Sequence, residues 1–304
     1  MAHEMDGPPV LVPIPYFGCP DYLRRAVDSV LAQTHRNVRV VVINDADPSP
    51  PWPLLADLTD PRLWRVDFPD NNGVYFGISA ALYSGAADYL LIQDADDWSE
   101  PGRVEALLAE LRRSGAGLAV SAQTVHYAGG RHYRDGSPRG SYLEDASARL
   151  ARPASEDYYM PCNHHGLYRA DFLRRLGGYY GGFRFSYDGL IIAVSHALGE
   201  IGYVPRPLYH RLRRPGSLTT RPETAEGSER RNAVDACLAG LYRTLFRALG
   251  SDPDLVARMD AHLLTHLPEH ERRKLAGYAE QIAHFLREPS TAVCRIEAPA
   301  LRTG

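Results

Sequence analysis

Three carboxylates fall within four positions, at Asp94, Asp96 and Asp97, directly after the apolar run Tyr89-Leu90-Leu91-Ile92. A buried strand accounts for the leucines and the isoleucine but not for the acids at its tip. Like charges this close repel unless solvent or a cation neutralises them. An oxygen-only cluster suits a hard divalent ion such as Mg2+ or Mn2+, which in turn binds phosphates. A solvated turn leading into a helix N-terminus is the other account of these acids, since the helix dipole favours negative charge there.

The preceding elements decide between the two accounts. Val10–Ile14 is a short apolar strand that Pro15 should stop, and Asp21–Thr34 carries Leu23, Ala26, Val27, Val30 and Leu31 at helical spacing. A β-branched run, Asn37–Ile43, ends at Asn44-Asp45, and the proline-rich 48–53 loop leads into a short helix at Leu54–Leu58. Leu63–Phe68 reads as a strand, Asn71-Asn72-Gly73 as a turn, and Gly77–Ala87 as a helix feeding the acidic strand. Strand and helix in this rhythm predict an α/β fold, a mostly parallel, Rossmann-like sheet flanked by helices. Such sheets bind ligands beyond the carboxyl ends of their strands. Three strands end there in a polar residue, Asp45, Asn71 or Asn72, and Asp94, which favours the metal–phosphate account.

Further along, the spacing predicts a helix over Glu100–Ser114, a strand over Gly117–His126 and a loop or hairpin over Tyr127–Arg152. Helices at Asp171–Leu176 and Leu190–Leu198, and a last strand at Tyr203–Tyr209, precede a basic loop, His210–Arg221. From about Glu223 the pattern is helical only, over Glu229–Leu249, Asp254–Leu267 and Glu269–Arg287. The 304 residues are 44% hydrophobic and 23% charged with a formal net charge of −3, which argues against nucleic acid as a partner. Lys274 is the only lysine, and the four cysteines are scattered without metal-ligand spacing. No apolar run is long enough for a membrane span, and the N-terminus lacks the pattern of a signal peptide, so a cytoplasmic protein is expected.

These residues together resemble family 2 glycosyltransferases, inverting enzymes of the GT-A fold. The resemblance rests on Pro13–Tyr16, Ser29–His35, Val41–Asp45, Asn72-Gly73-Val74 and Asp94–Asp97, with Gly177-Gly178-Tyr179 and the Arg-rich Tyr209–Ser217 segment later. It covers roughly residues 8–220 and implies a nucleotide-diphosphate sugar as donor, a UDP-sugar by family frequency, with Mn2+ or Mg2+ as cofactor. It divides the chain into a nucleotide-sugar half (1–98), an acceptor half (99–221) and an α-helical C-terminal extension (222–304) that could join a homodimer. Asp45 would then hold the base, with Pro15, Phe17 and Asn72 bordering the nucleotide. Asp94-Ala95-Asp96 would be the DxD-type motif, Asp96 ligating the metal and Asp94 contacting it or the ribose. Asp97 would serve as a further ligand or as a helix cap. Asp188 would be the general base that deprotonates the acceptor hydroxyl. Arg211, Arg213 and Arg214 would close over the diphosphate.

The chain departs from the family pattern where Tyr187 replaces a Glu before the base, where Arg214 replaces a common His, and where Asn44 replaces an Asp. His210 is then a candidate third metal ligand. Asn163-His164-His165 lies in the acceptor half, and strand alternation would turn only one of the two histidines to the pocket. Tyr158, Tyr159, Tyr179 and Tyr180 fit sugar stacking or core packing. His262, His266 and His270 read as an exposed helical stripe broken by Pro268. The acceptor is expected to be a carbohydrate or small molecule. Two other functions fit an acidic strand tip, a sugar-phosphate nucleotidyltransferase and a non-catalytic nucleotide-sugar or glycan-binding protein. The first lacks its Gly-rich loop at Pro15–Pro20, and retention of Asp188 argues against the second.

Overall fold

The computed structural model describes residues 7–127, 129–130, 132–135, 164–198, 200–251 and 267–298. The first half alternates as the hydrophobic pattern requires: β1 (Val10–Tyr16), α1 (Pro20–Leu31), β2 (Val38–Asn44), a 3-10 turn at Trp52–Leu55, β3 (Leu63–Asp67), α2 (Val74–Tyr83) and β4 (Tyr89–Leu91). The two-residue β5 (Trp98–Ser99) and α3 (Arg103–Ser114) follow, then β6 (Leu118–Tyr127) and β7 (His132–Asp135). The remaining elements are β8 (Gly166–Arg169), α4 (Ala170–Arg175), α5 (Tyr187–Ala197), β9 (Ile201–Arg213), α6 (Glu229–Ser251), α7 (Glu269–Phe285) and β10 (Val293–Arg295).

One sheet runs in the order β10-β3-β2-β1-β4-β8-β6-β9-β5, with β7 paired to β6. The first five strands of that order are parallel neighbours, and β8 reverses the direction by pairing antiparallel with β4 and β6. Helices cover both faces. On α1, Leu23, Ala26, Val27, Val30 and Leu31 are the buried residues, the same five that its spacing singled out, and all but Ala26 join α3 in one apolar cluster under one face. The opposite face buries α2, α4 and α5.

Four sequence expectations are corrected. β1 continues through Pro15 to Tyr16, because Pro15 needs no N–H there and its ring packs against Gly77. α2 starts at Val74, three residues before Gly77, and ends at Tyr83. The last long strand runs on to Arg213, so His210–Arg213 belong to β9 rather than to a basic loop. The tail is not helical throughout: β10 adds a parallel edge strand to β3, and the Ile296 amide donates to the Asp67 carbonyl at 2.9 Å.

The tail also packs on the first half of the chain. Tyr278 of α7 is fully buried, edge-on to Phe68 (centroids 4.9 Å apart) and Phe76 (5.3 Å). Such edge-to-face pairs add to the burial of their area. The helix expected at 254–267, with His262 and His266, lies almost wholly outside the described residues, as do Tyr158, Tyr159, Asn163 and Cys162. No helix among the described residues is long and apolar enough to cross a membrane.

Candidate active site

The tips of β1, β2 and β4 open onto a cavity of about 420 Å3, beyond the carboxyl ends of the parallel strands. Pro15, Phe17, Asp45 and Asn71 line it, together with Asp94, Ala95 and Asp96 just after β4. His164, His165 and Asp188 also line it, as do Arg211 from β9 and Arg214 from the turn after it.

Asp45 builds its own wall. Its two oxygens accept the backbone N–H groups of Asn72 and Gly73, both at 2.8 Å. Gly73 sits at φ +89°, a conformation that favours glycine, so the carboxylate and the glycine together fix the turn into α2. Burial pushes the Asp45 carboxyl up, and the two N–H bonds pull against it. A carboxylate has about four lone-pair positions, so acceptor capacity remains for a ligand N–H. Asn72 itself points elsewhere: its amide donates to the Asp70 carbonyl at 2.7 Å, and it is absent from the lining. Asn71 takes the place expected of it, donating to the Asp45 carbonyl at 3.1 Å and receiving the Arg184 guanidinium.

At the strand tip, Asp94, Asp96 and Asp97 each place a carboxylate oxygen within 4.8 Å of the others. Burial raises the pKa of all three, followed for Asp96 by the charge of Asp94 and for Asp97 by Asp96 and then Asp94. Asp97 is already occupied, accepting Tyr209 Oη and the Leu212 N–H, both at 2.7 Å. It therefore anchors β9, and the residue before α3 is Gly102, so Asp97 is no cap for that helix. Asp94 and Asp96 remain as candidate donors, oxygen ligands of the kind that suits a hard divalent ion, and Asp94 also places an oxygen within 4.8 Å of ring nitrogens of His164 and His165. Arg214 Nε donates to Asp96 Oδ2 at 2.7 Å, which leaves the other oxygen free.

Beneath the tip lies a fully buried cation. Arg103 donates to Gln93 Oε1, Ser99 Oγ and the carbonyls of Ile92 and His165, at 2.8 to 3.2 Å, and lies against the Tyr209 ring. Burial pulls its pKa down to about 10, against the charges of Tyr209, Asp97 and Asp94. It ties the acidic strand end to the segment carrying the two histidines.

Those histidines correct the alternation argument. His164 and His165 precede β8 in irregular chain, so the strand period does not apply, and both reach the cavity with ring centroids 4.0 Å apart. His165 Nε2 lies 3.0 Å from Asp94 Oδ2, and His164 Nε2 lies 3.6 Å from Asp188 Oδ2. Burial, then the neighbouring His165, takes the His164 pKa down to about 4. Tyr75, on the first turn of α2, donates to Asp188 Oδ1 at 2.6 Å. Burial alone would raise the Asp188 pKa, but His164, the Tyr75 bond and Arg211 outweigh it and hold the carboxyl below its usual value.

Two candidates stand apart from this cluster. His210 is stacked on Trp98, with one ring nitrogen on Glu100 at 2.6 Å and the other on His126 at 3.0 Å, so it has no free nitrogen for the metal. Arg213 pairs with Glu226 at 3.4 Å and is absent from the lining. Arg211 lies on a strand, half-buried and facing the charges of Asp97, Asp94 and Asp188, so it is carried by the sheet rather than by a lid.

A family profile described as "Glycosyl transferase family 2" matches residues 12–177, more than half of the chain. The chain belongs to glycosyl transferase family 2. Among curated relatives, the glycosyltransferase GlyA of Streptococcus pneumoniae is 27% identical over 113 residues, 36% of this chain and 16% of that protein. The succinoglycan biosynthesis protein ExoO of Rhizobium meliloti is 28% identical over 127 residues, 42% of this chain and 36% of that protein. The matched segment therefore spans well under half the length of either relative. Among solved structures, S. aureus TarS 1-349 in complex with UDP-GlcNAc superposes with a TM-score of 0.55 at 13% identity, over 92% of this chain and 73% of that one. That likeness establishes a shared GT-A fold.

The family 2 motifs marked Asp45, the DxD-type tip and Asp188, but not Tyr75, Arg103 or the paired histidines. Tyr75 directly follows the Asn72-Gly73-Val74 motif, a signal that could have drawn attention to it. Nothing local marks Arg103, whose role appears only once α3 is laid under the strand tip.

Proposed function

We propose that the protein moves a sugar from a nucleotide-diphosphate donor, a UDP-sugar, to an acceptor hydroxyl with inversion at the anomeric carbon. The observation that carries this reading is the cavity itself, which sets Asp188 against the acidic strand tip from an element far along the chain. Residues 1–98 would hold the donor and 99–221 the acceptor, with α7 and β10 of the tail buttressing the donor side.

Asp45 and Asn71 would accept and donate to the base, while Asp94 and Asp96 would hold Mn2+ or Mg2+ and orient the ribose and diphosphate. The ion, when bound, supplies positive charge for the departing diphosphate. Arg211 and Arg214 supply more of it from the protein, in fixed positions that need no reorganisation. On the opposite face, Asp188 takes the proton of the attacking hydroxyl, as a single displacement requires. It must be ionised to do so. With His164 neutral near pH 7, the Tyr75 hydrogen bond and the Arg211 charge keep it so.

The test follows from the sign of that bond. Tyr75 stabilises the ionised carboxylate, so Tyr75→Phe should raise the Asp188 pKa. The acid limb of the pH profile for UDP release in the presence of acceptor should then move to higher pH. An unshifted acid limb would remove Asp188 from the role of base.

A further inference from the structure

The cavity is lined by six arginines and five aspartates in a chain whose overall charge is −3. Their distribution is uneven. Arg211 and Arg214 face Asp94, Asp96, Asp97 and Asp188 and are matched by them. Arg230 and Arg231, at the start of α6, have no carboxylate partner among the described residues. Their guanidinium carbons lie 5.8 Å and 5.0 Å from the centroid of the Phe185 ring, so both charges flank one side chain just before Asp188. Arg231 spends its donors on neutral oxygens: Ser186 Oγ at 2.9 Å and the carbonyls of Thr224 at 2.6 Å and Leu218 at 3.2 Å. Arg230 is exposed and donates no hydrogen bond among the described residues. The acids nearest in sequence, Glu226, Glu229 and Asp235, do not line the cavity.

Both guanidinium groups lie at the Phe185 ring, and among the described residues no carboxylate neutralises either of them. A bound anion would do so. We propose that the acceptor is anionic and that Arg230, with Arg231 behind it, binds a phosphate or carboxylate group placed near the hydroxyl that Asp188 deprotonates. The proposal rests on the glycosyl-transfer reading and names its acceptor class. Arg211 and Arg214 are the arginines that act on the acidic tip, whereas Arg230 and Arg231 lie on Phe185, in the segment that leads into Asp188. The guanidinium fork suits both anions. The exposed Arg230 charge would also attract such an acceptor.

The test is calorimetric titration of the full chain, saturated with UDP and Mn2+, with glucose, glucose 6-phosphate and glucuronate. At least one anionic sugar should bind about tenfold or more tighter than glucose. The phosphate and carboxylate arms tell which anion is preferred. Raising NaCl from about 50 mM to about 500 mM should erode the preference. Arg230→Gln should reduce it severalfold and leave UDP affinity unchanged, since Arg230 ties no other segment. Equal binding of all three sugars, a preference untouched by Arg230→Gln, or displacement of UDP by the anionic sugars would overturn the proposal. Failure of UDP itself to bind would instead sink the donor reading, and the same three sugars titrated without nucleotide would still decide the anion preference.

Discussion

Asp188→Asn is expected to cut sugar transfer by about 10²- to 10⁴-fold, the contribution of a positioned general base, while nucleotide affinity changes by less than about twofold. Asparagine keeps the shape of aspartate and still offers an oxygen to Tyr75, which donates at 2.6 Å to Asp188 Oδ1. The α5 start and the cavity wall should therefore survive. What is lost is the negative charge that receives the hydroxyl proton. Asp188 shares no hydrogen bond with Asp45, whose carboxylate is held by the Asn72 and Gly73 N–H groups, so the nucleotide contacts should be untouched. The measurement pairs a UDP-release assay with a titration of UDP. Turnover within a factor of a few of the wild type would show that another group, or water, takes the proton.

Asp96→Asn is the second large effect, and it falls on donor binding and leaving-group departure together. The substituted amide would still accept the Arg214 N–H that now lies 2.7 Å from Asp96 Oδ2. It would not neutralise either Arg214 or a divalent ion. We expect kcat/KM to drop by about 10²-fold or more, comparable with removing one electrostatic contact to a transition-state anion. The Mn2+ concentration for half-maximal rate should rise in parallel. Loss of rate without any change in metal requirement would assign Asp96 to Arg214 alone, as a structural pair.

The sheet and most helices were legible because their signal is local. A β-branched run such as Val38–Asn44 or an apolar stripe such as that of α1 states its environment residue by residue. The site was legible where a strand tip breaks that pattern with a carboxylate, at Asp45 and Asp94. Asp188 was found through a resemblance spread over much of the chain. What the sequence hid is what depends on convergence in space. His164 and His165 share a pocket because they precede β8 in irregular chain. Tyr75 meets Asp188 only because α2 and α5 pack on the same face. The tail strand Val293–Arg295 is too short for its alternation to be read, and β3 recruits it. His210 stands near the position where relatives carry a metal-ligating His, but it continues β9 and is spent on Glu100 and His126.

The central claim is that one cavity binds a nucleoside diphosphate through an ion held at Asp94 and Asp96. Thermal unfolding of the purified protein with UDP and with other nucleoside diphosphates, each with and without Mn2+, tests it most directly. A ligand at a hundredfold excess over its Kd should stabilise the folded state by about 2.7 kcal/mol. The account predicts a rise in Tm with one nucleotide, UDP, that requires the divalent ion. No shift with any nucleotide, in the presence or absence of Mn2+, would contradict it.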